Sequence, residues 1–112
     1  MEKINSKNFE EIITAGEKPV VVTFWSGDCD KCKDLLAELE NLKQQYDEEA
    51  EFVRFNLQGD LTYDSQNSRL ALDQGVKKLP AVIIYRYGEK KEHLSKAELE
   101  AGDIKSTLDN ML

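Results

Sequence analysis

The sequence has few cysteines, histidines and prolines, no long hydrophobic run and no excess of positive charge. Its 112 residues include two cysteines, one histidine and two prolines, and its net charge is −7. A negative charge disfavours binding to nucleic acid and to anionic membranes, and no apolar segment is long enough to cross a bilayer. The first residues do not show the basic start and apolar stretch of an export signal. We therefore predict a cytoplasmic protein without nucleic-acid or membrane partners.

The length fits a single domain, residues 1–112, with one hydrophobic core. No internal repeat, low-complexity tract or linker rich in proline or glycine divides the chain. Val20 to Phe24 is almost continuously apolar, which is typical of a central strand covered by helices on both faces. Such strands belong to α/β sheets, so the sequence predicts an α/β fold.

The remaining elements follow from the spacing of apolar residues and from turn and capping signals. A first helix is expected to begin at Ser6 or Asn8, with Asn8 and Glu11 in the spacing of a capping box, and to end near Gly16. The other predicted elements, in chain order, are a helix from the cysteines to Tyr46, a strand at Glu51–Leu57, a loop from Asp60, a short helix at Ser68–Gln74, a strand at Ala81–Tyr85, a turn at Tyr87–Lys90, a candidate strand at Lys91–Leu94, and a last helix with Asp103 near its start and Ile104, Leu108 and Met111 on one face.

The two cysteines, Cys29 and Cys32, lie between the predicted central strand and the following helix. A disulfide that closes so short a loop adds little stability, so chemistry explains the pair better. In a reducing cytosol such a disulfide is transient. Tetrahedral zinc needs about four ligands, whereas the chain offers two thiols and the distant His93, so we predict no metal. An inert buried pair is the alternative to a reactive dithiol.

The position of the cysteines suggests a role for each. Only the thiolate attacks a disulfide, and the N-terminus of a helix stabilises negative charge. Cys29 is therefore the expected nucleophile, and Cys32, one helical turn deeper, is expected to attack Cys29 and release the reduced substrate. Asp30 disfavours the Cys29 thiolate and Lys31 favours it, so the sequence leaves the sign of their combined effect open.

Two segments of the chain resemble the thioredoxin family. Val22–Ser26, followed by the C-x-x-C pair and Lys33, is similar to the family's strand, tryptophan and active-site helix. Gly75–Ala81, followed by a second apolar strand, is similar to the segment that holds the family's cis-proline. The resemblance covers most of the chain. It implies a three-layer α/β/α sandwich around a mixed sheet of four or five strands.

The resemblance also implies positions for groove residues. Leu79-Pro80 would form a cis peptide bond that faces the cysteines across a substrate groove, and Trp25 would pack beside the dithiol. The dipeptide Asp30-Lys31 between the cysteines departs from the Gly-Pro of the family's best-known members. Three further positions also depart from the family pattern: Asp28 replaces a second tryptophan, Thr23 replaces a buried aspartate, and Lys78 replaces a common glycine. We expect Asp28 to restrict the set of partners and Thr23 to slow turnover, because threonine cannot act as a base.

We predict a thiol-disulfide oxidoreductase, a protein-disulfide reductase that uses no cofactor beyond its own Cys29–Cys32 disulfide. Its expected partners are protein disulfides and a separate disulfide reductase that supplies electrons, and a monomer is expected. The alternative is a thioredoxin-fold binding module or redox sensor with weak or no turnover. The residues predicted to line or support the groove are Trp25, Asp28, Asp30, Lys31, Leu79 and Pro80.

Overall fold

A five-stranded sheet with helices on both faces forms the centre of the molecule. The computed structural model describes residues 1–57, 65–95 and 98–112. In chain order its elements are β1 (Glu2–Ile4), α1 (Phe9–Thr14), β2 (Val20–Ser26), α2 (Asp30–Lys43), β3 (Glu51–Leu57), α3 (Gln66–Asp73), β4 (Ala81–Arg86), β5 (Glu89–Leu94) and α4 (Ala101–Met111), with one turn of 3-10 helix at Gln44–Tyr46.

The strand order is β1-β3-β2-β4-β5, which places β2 at the centre of the sheet. The strands β1, β3 and β2 are parallel, β4 runs antiparallel to β2, and β5 runs antiparallel to β4. The sheet is therefore mixed, and the predicted α/β/α sandwich is confirmed. The central place of β2 explains its continuous apolar sequence, because both of its faces are covered.

Each face of the sheet carries its own apolar cluster, so the molecule has three layers. On one face, Val22 and Phe24 pack in a cluster with Phe9 and Ile13 of α1. The ring of Phe9 meets that of Phe55 edge-on, with the centroids 6.0 Å apart. On the other face, Val21 and Phe52 join a cluster whose helical members come from α2 and α4: Leu35, Leu39, Leu42, Ile104 and Leu108.

The structure corrects several predicted boundaries in the first half of the chain. The strand β1 was not predicted; it has three residues, of which only Ile4 is buried, so its pattern is too short to detect. The predicted capping box of Asn8 and Glu11 is wrong, because Asn8 makes no side-chain cap to α1 and instead accepts from the backbone N–H of Asn5 at 2.8 Å. The helix α1 ends at Thr14, before Gly16.

In the second half, α3 begins at Gln66, two residues before the predicted start, because Oγ of Ser65 accepts from the backbone N–H of Ser68 at 3.0 Å. The loop predicted from Asp60 lies, up to residue 64, outside the described residues. The strand β5 also begins two residues earlier than predicted.

The hairpin between β4 and β5 turns at Tyr87 and Gly88, whose φ angles are +55° and +79°. Positive φ at both central residues is the signature of a tight type I′ turn. A Cβ atom at Gly88 would lie 2.7 Å from Cγ2 of Thr14, so close packing against α1 also requires glycine here.

The last helix, α4, begins as predicted. Asp103 and Glu100 form a capping box, in which each side chain accepts from the backbone of the other. Ile104 and Leu108 are fully buried on one face. None of the helices in the described ranges combines the length and apolar character needed to span a bilayer.

Candidate active site

The two cysteines lie at the junction of β2 and α2, where sequence analysis placed them. Cys29 is the N-cap of α2, and Cys32 lies in its first turn. Their Cα atoms are 5.2 Å apart and their sulfur atoms form a disulfide. The backbone N–H of Cys29 donates to the carbonyl of Ser26 at 3.1 Å, which fixes the turn out of β2.

The two sulfur atoms differ in environment. Cys32 is completely buried, with 0% exposure, whereas Cys29 is partly exposed. The backbone N–H of Cys32 donates to Sγ of Cys29 at 3.1 Å, so Cys29 satisfies a free donor at the helix N-terminus. Upon reduction, the same donor and the helix dipole favour negative charge on Cys29. The geometry therefore gives the more accessible sulfur the stronger stabilisation as a thiolate.

The residues between and before the cysteines are exposed. Asp30 and Lys31 extend from the first turn of α2 into solvent, and Asp28 lies in the preceding turn, where its backbone N–H donates to Oγ of Ser26 at 3.3 Å. Lys31 forms an ion pair with Glu98 at 3.7 Å, and both side chains are largely exposed. Sequence analysis missed Glu98, because nothing in the sequence places the approach to α4 beside the cysteines.

The peptide bond between Leu79 and Pro80 is cis, as the resemblance implied. Ala81, the next residue, pairs with Phe24, so Pro80 lies at the end of β2 that leads to the cysteines. A cleft of about 180 Å³ joins Pro80 to the first turns of α2; its lining residues are Lys31, Asp34, Leu35, Glu38, Pro80, Glu98, Leu99 and Glu100. Leu79 is not among them and packs against the apolar cluster of α1.

Trp25 and Thr23 lie on β2 next to two polar residues of β3. Backbone register pairs Thr23 with Arg54 and Trp25 with Asn56. The guanidinium of Arg54 stands over the ring of Trp25, 5.8 Å from its centroid. Thr23 is completely buried. Sequence analysis named Trp25 and Thr23 but missed Arg54, because only the pairing of two distant strands brings it beside them.

The remaining candidates lie elsewhere or on the surface. His93 pairs with Ile83 on the edge strand β5, and Lys78 is exposed. Across residues 1–57, 65–95 and 98–112, no three His, Cys, Asp or Glu side chains are grouped so that they could hold a metal ion.

Known proteins share the fold of this chain and align with most of its sequence. The family profile described as Thioredoxin matches residues 1–110. The thioredoxin of Acetoanaerobium sticklandii is 27% identical over 106 residues, which cover 95% of this chain and 94% of that protein. A chloroplastic M-type thioredoxin of Zea mays is 32% identical over 88 residues, which cover 79% of this chain and 48% of that protein.

A solved structure gives the same architecture. Thioredoxin f2 of Chlamydomonas reinhardtii superimposes with a TM-score of 0.83, at 20% identity, over 99% of this chain and 95% of that one. At this identity the likeness supports the fold. The family match and the C-x-x-C pair at disulfide distance support the chemistry.

Proposed function

The chain belongs to the thioredoxin family and is a thiol-disulfide oxidoreductase, and on this premise we propose that Cys29 attacks substrate disulfides and Cys32 resolves the intermediate. The observation that carries this assignment is the contrast in exposure, since Cys29 is accessible at the N-terminus of α2 whereas Cys32 is completely buried. A substrate disulfide can reach only the accessible sulfur.

The proposed cycle consists of two exchange steps. The thiolate of Cys29 attacks one sulfur of a substrate disulfide, which forms a mixed disulfide and releases the other substrate sulfur as a thiolate. Cys32 then loses its proton and attacks Sγ of Cys29, which forms the Cys29–Cys32 disulfide and releases the second substrate thiol. The substrate gains two electrons and two protons. A separate disulfide reductase would return the same number to the enzyme.

We further propose that substrate peptides lie beside Pro80. The cleft that joins Pro80 to Lys31 is adjacent to the first turn of α2, where Cys29 is the N-cap. An extended peptide in this cleft would bring its cysteine to Cys29 and its neighbouring residues to Asp28, Asp30 and Lys31. Trp25 would pack beside the dithiol, and Leu79 would support the cis peptide bond from the apolar cluster of α1, against which it packs.

We also propose that the chain forms a single domain, is a monomer and lies in the cytoplasm. One sheet carries both apolar clusters, which supports a single domain. In the described part of the chain the large hydrophobic side chains that are exposed are Tyr87, at 62%, and Leu112, at 53%. These two isolated residues do not form the continuous apolar patch typical of a stable oligomer interface.

A trapping experiment tests the order of the two cysteines. In Cys32→Ser the first exchange can occur but the second cannot, so a mixed disulfide with insulin or with cytosolic proteins should accumulate on Cys29. The matched variant Cys29→Ser should give no adduct, because its remaining thiol is buried. An adduct on Cys32 in Cys29→Ser, together with none in Cys32→Ser, would reverse the assignment.

A further inference from the structure

Arg54 is a charged residue in the middle of β3, a strand whose other residues are mostly apolar. Its backbone pairs with Thr23 on β2, three residues before the end of that strand. Phe52, two residues earlier on β3, faces the cluster of α2 and α4, so the alternation of side chains places Arg54 on that same face. The cation therefore lies between the sheet and the helix that begins at Cys29.

The side chain of Arg54 is incompletely satisfied by its surroundings. Its guanidinium stands over the ring of Trp25, and its Nε atom is buried without a hydrogen-bond partner among the described residues. Oγ1 of Thr23 and Nε1 of Trp25 are also buried without a hydrogen-bond partner among the described residues. Buried polar atoms without partners are uncommon in native proteins, and each one calls for an explanation, among them a redox role.

The charged groups near Arg54 compensate only a small part of its positive charge. On α2 the nearby carboxylate is Glu40, which accepts from the N-terminal ammonium; that hydrogen bond lowers the pKa of Glu40, and the charges of Lys43 and Arg54 add to the effect. Glu40 is thus already paired with another cation. On β2 the register partner is Thr23, which carries no charge, and on β1 it is Lys3, a second cation.

We propose that Arg54 is a positioning residue that holds the ring of Trp25 and favours the reduced form of the Cys29–Cys32 pair through its charge. The disulfide is neutral, whereas the reduced pair carries a thiolate, so a fixed cation in a partly buried site stabilises the reduced state selectively. Reduction by glutathione breaks the Cys29–Cys32 bond and yields two protein thiols and one molecule of glutathione disulfide. This inference rests on the proposed redox function of the pair.

The test is the equilibrium of each variant with glutathione redox buffers at pH 8, with the two forms separated by alkylation. In Arg54→Met the cation is removed but the length of the side chain is kept. The equilibrium constant with glutathione should shift three- to tenfold toward the disulfide. This shift corresponds to a reduction potential of the Cys29–Cys32 pair that is about 15 to 30 mV more negative. Arg54→Lys keeps the charge and should stay within about twofold of the unmodified protein.

Arg86 offers a matched control. Its guanidinium also stands over an aromatic ring, that of Tyr87 at 5.6 Å, but it follows Tyr85, which pairs with Val20 at the opposite end of β2. Arg86→Met therefore removes the same charge and the same type of contact far from the cysteines, and it should leave the equilibrium unchanged. Trp25 is the single tryptophan of the chain, so its fluorescence change upon reduction should differ in Arg54→Met and persist in Arg86→Met.

An unmoved equilibrium in Arg54→Met would overturn the inference, as would an equal shift in Arg54→Lys or in Arg86→Met. If Arg54→Met does not fold, Arg54→Gln is expected to give the same shift. These outcomes are separate from a failure of the proposed function, which would appear in the unmodified protein as no disulfide at any glutathione ratio.

Discussion

The backbone N–H of Cys32 donates a hydrogen bond to Sγ of Cys29 over 3.1 Å, so the exposed sulfur of the dithiol is also the N-cap of α2. One atom thus serves two purposes. As a cap it satisfies a backbone donor that the helix cannot satisfy itself, and as a thiolate it carries the charge that this donor stabilises. The two purposes can be separated by substitution.

Cys29→Ser should lose activity but keep the cap, because serine is among the best N-cap residues. Cys29→Ala should lose both. We expect insulin reduction at background level in both variants, and a free energy of unfolding about 1 kcal/mol higher for Cys29→Ser than for Cys29→Ala. Urea denaturation under reducing conditions measures the difference. Equal stability of the two variants would show that the contact with Cys32 does not act as a cap.

Thr23 should limit the rate of disulfide reduction. Its hydroxyl is buried without a hydrogen-bond partner among the described residues and cannot accept a proton from a thiol. Thr23→Asp introduces a potential base on the face that carries Arg54, and it should speed insulin reduction by about a hundredfold. The rate should be followed from pH 6 to pH 9. An unchanged rate over this range would show that residue 23 is not limiting.

Thr23→Val is the matched control for this prediction. Valine has nearly the same shape as threonine but lacks the hydroxyl. The reduction rate should stay at the level of the unmodified protein. The free energy of unfolding should stay equal or rise by up to about 1 kcal/mol, since a buried and unpartnered hydroxyl is removed. A large loss of stability would show that the hydroxyl has a partner in solution.

The sequence was informative where a local pattern determines the structure. The continuous apolar run of β2 predicted a central strand, because only a strand covered on both faces needs such a run. The spacing of Cys29 and Cys32 after this strand placed both at the start of a helix, as observed. The cis bond before Pro80 was implied by family resemblance, since no local pattern reveals the isomer.

The sequence was uninformative where distant segments meet. Arg54 lies beside Thr23 and Trp25 only through the register of β2 and β3. Glu98 reaches Lys31 only because the approach to α4 lies next to α2. The mistaken cap at Asn8 has a local cause, because two hydrogen-bond partners compete for one side chain and the structure selects the N–H of Asn5.

Tyr46 should contribute to stability through its contact with α4. Its buried hydroxyl donates to Asp109, and Nζ of Lys105 donates to the same hydroxyl at 3.1 Å. Tyr46→Phe removes the hydroxyl and keeps the ring, so the free energy of unfolding at pH 7 should fall by about 1 kcal/mol. Urea denaturation measures the loss. Lys105→Met removes a largely exposed cation and should cost less.

The contribution of Tyr46 should also depend on pH. The hydrogen bond from Tyr46 lowers the pKa of Asp109 below its ordinary value of 3.8, and Lys105 adds to the effect. Because its pKa is lower in the folded state, the Asp109 carboxylate stabilises the protein at pH values above its ordinary pKa. This stabilisation is lost as the pH falls through the pKa of the folded state. The difference between the unmodified protein and Tyr46→Phe should therefore be constant from pH 5 to pH 8 and shrink below about pH 4. A constant difference at low pH would contradict this coupling.

Asp28 should restrict the range of substrates. It is exposed in the turn directly before Cys29, and next to it a Cβ atom at Gly27 would meet nothing within 4 Å, so the surface here is open. Asp28→Trp replaces a charge with a large apolar surface and should widen the set of proteins trapped by Cys32→Ser. Asp28→Asn removes the charge alone and separates the two causes. If charge repulsion dominates, Asp28→Asn should widen the set as far as Asp28→Trp does. If apolar contact dominates, only Asp28→Trp should widen it, and an unchanged set in both variants would remove Asp28 from substrate selection.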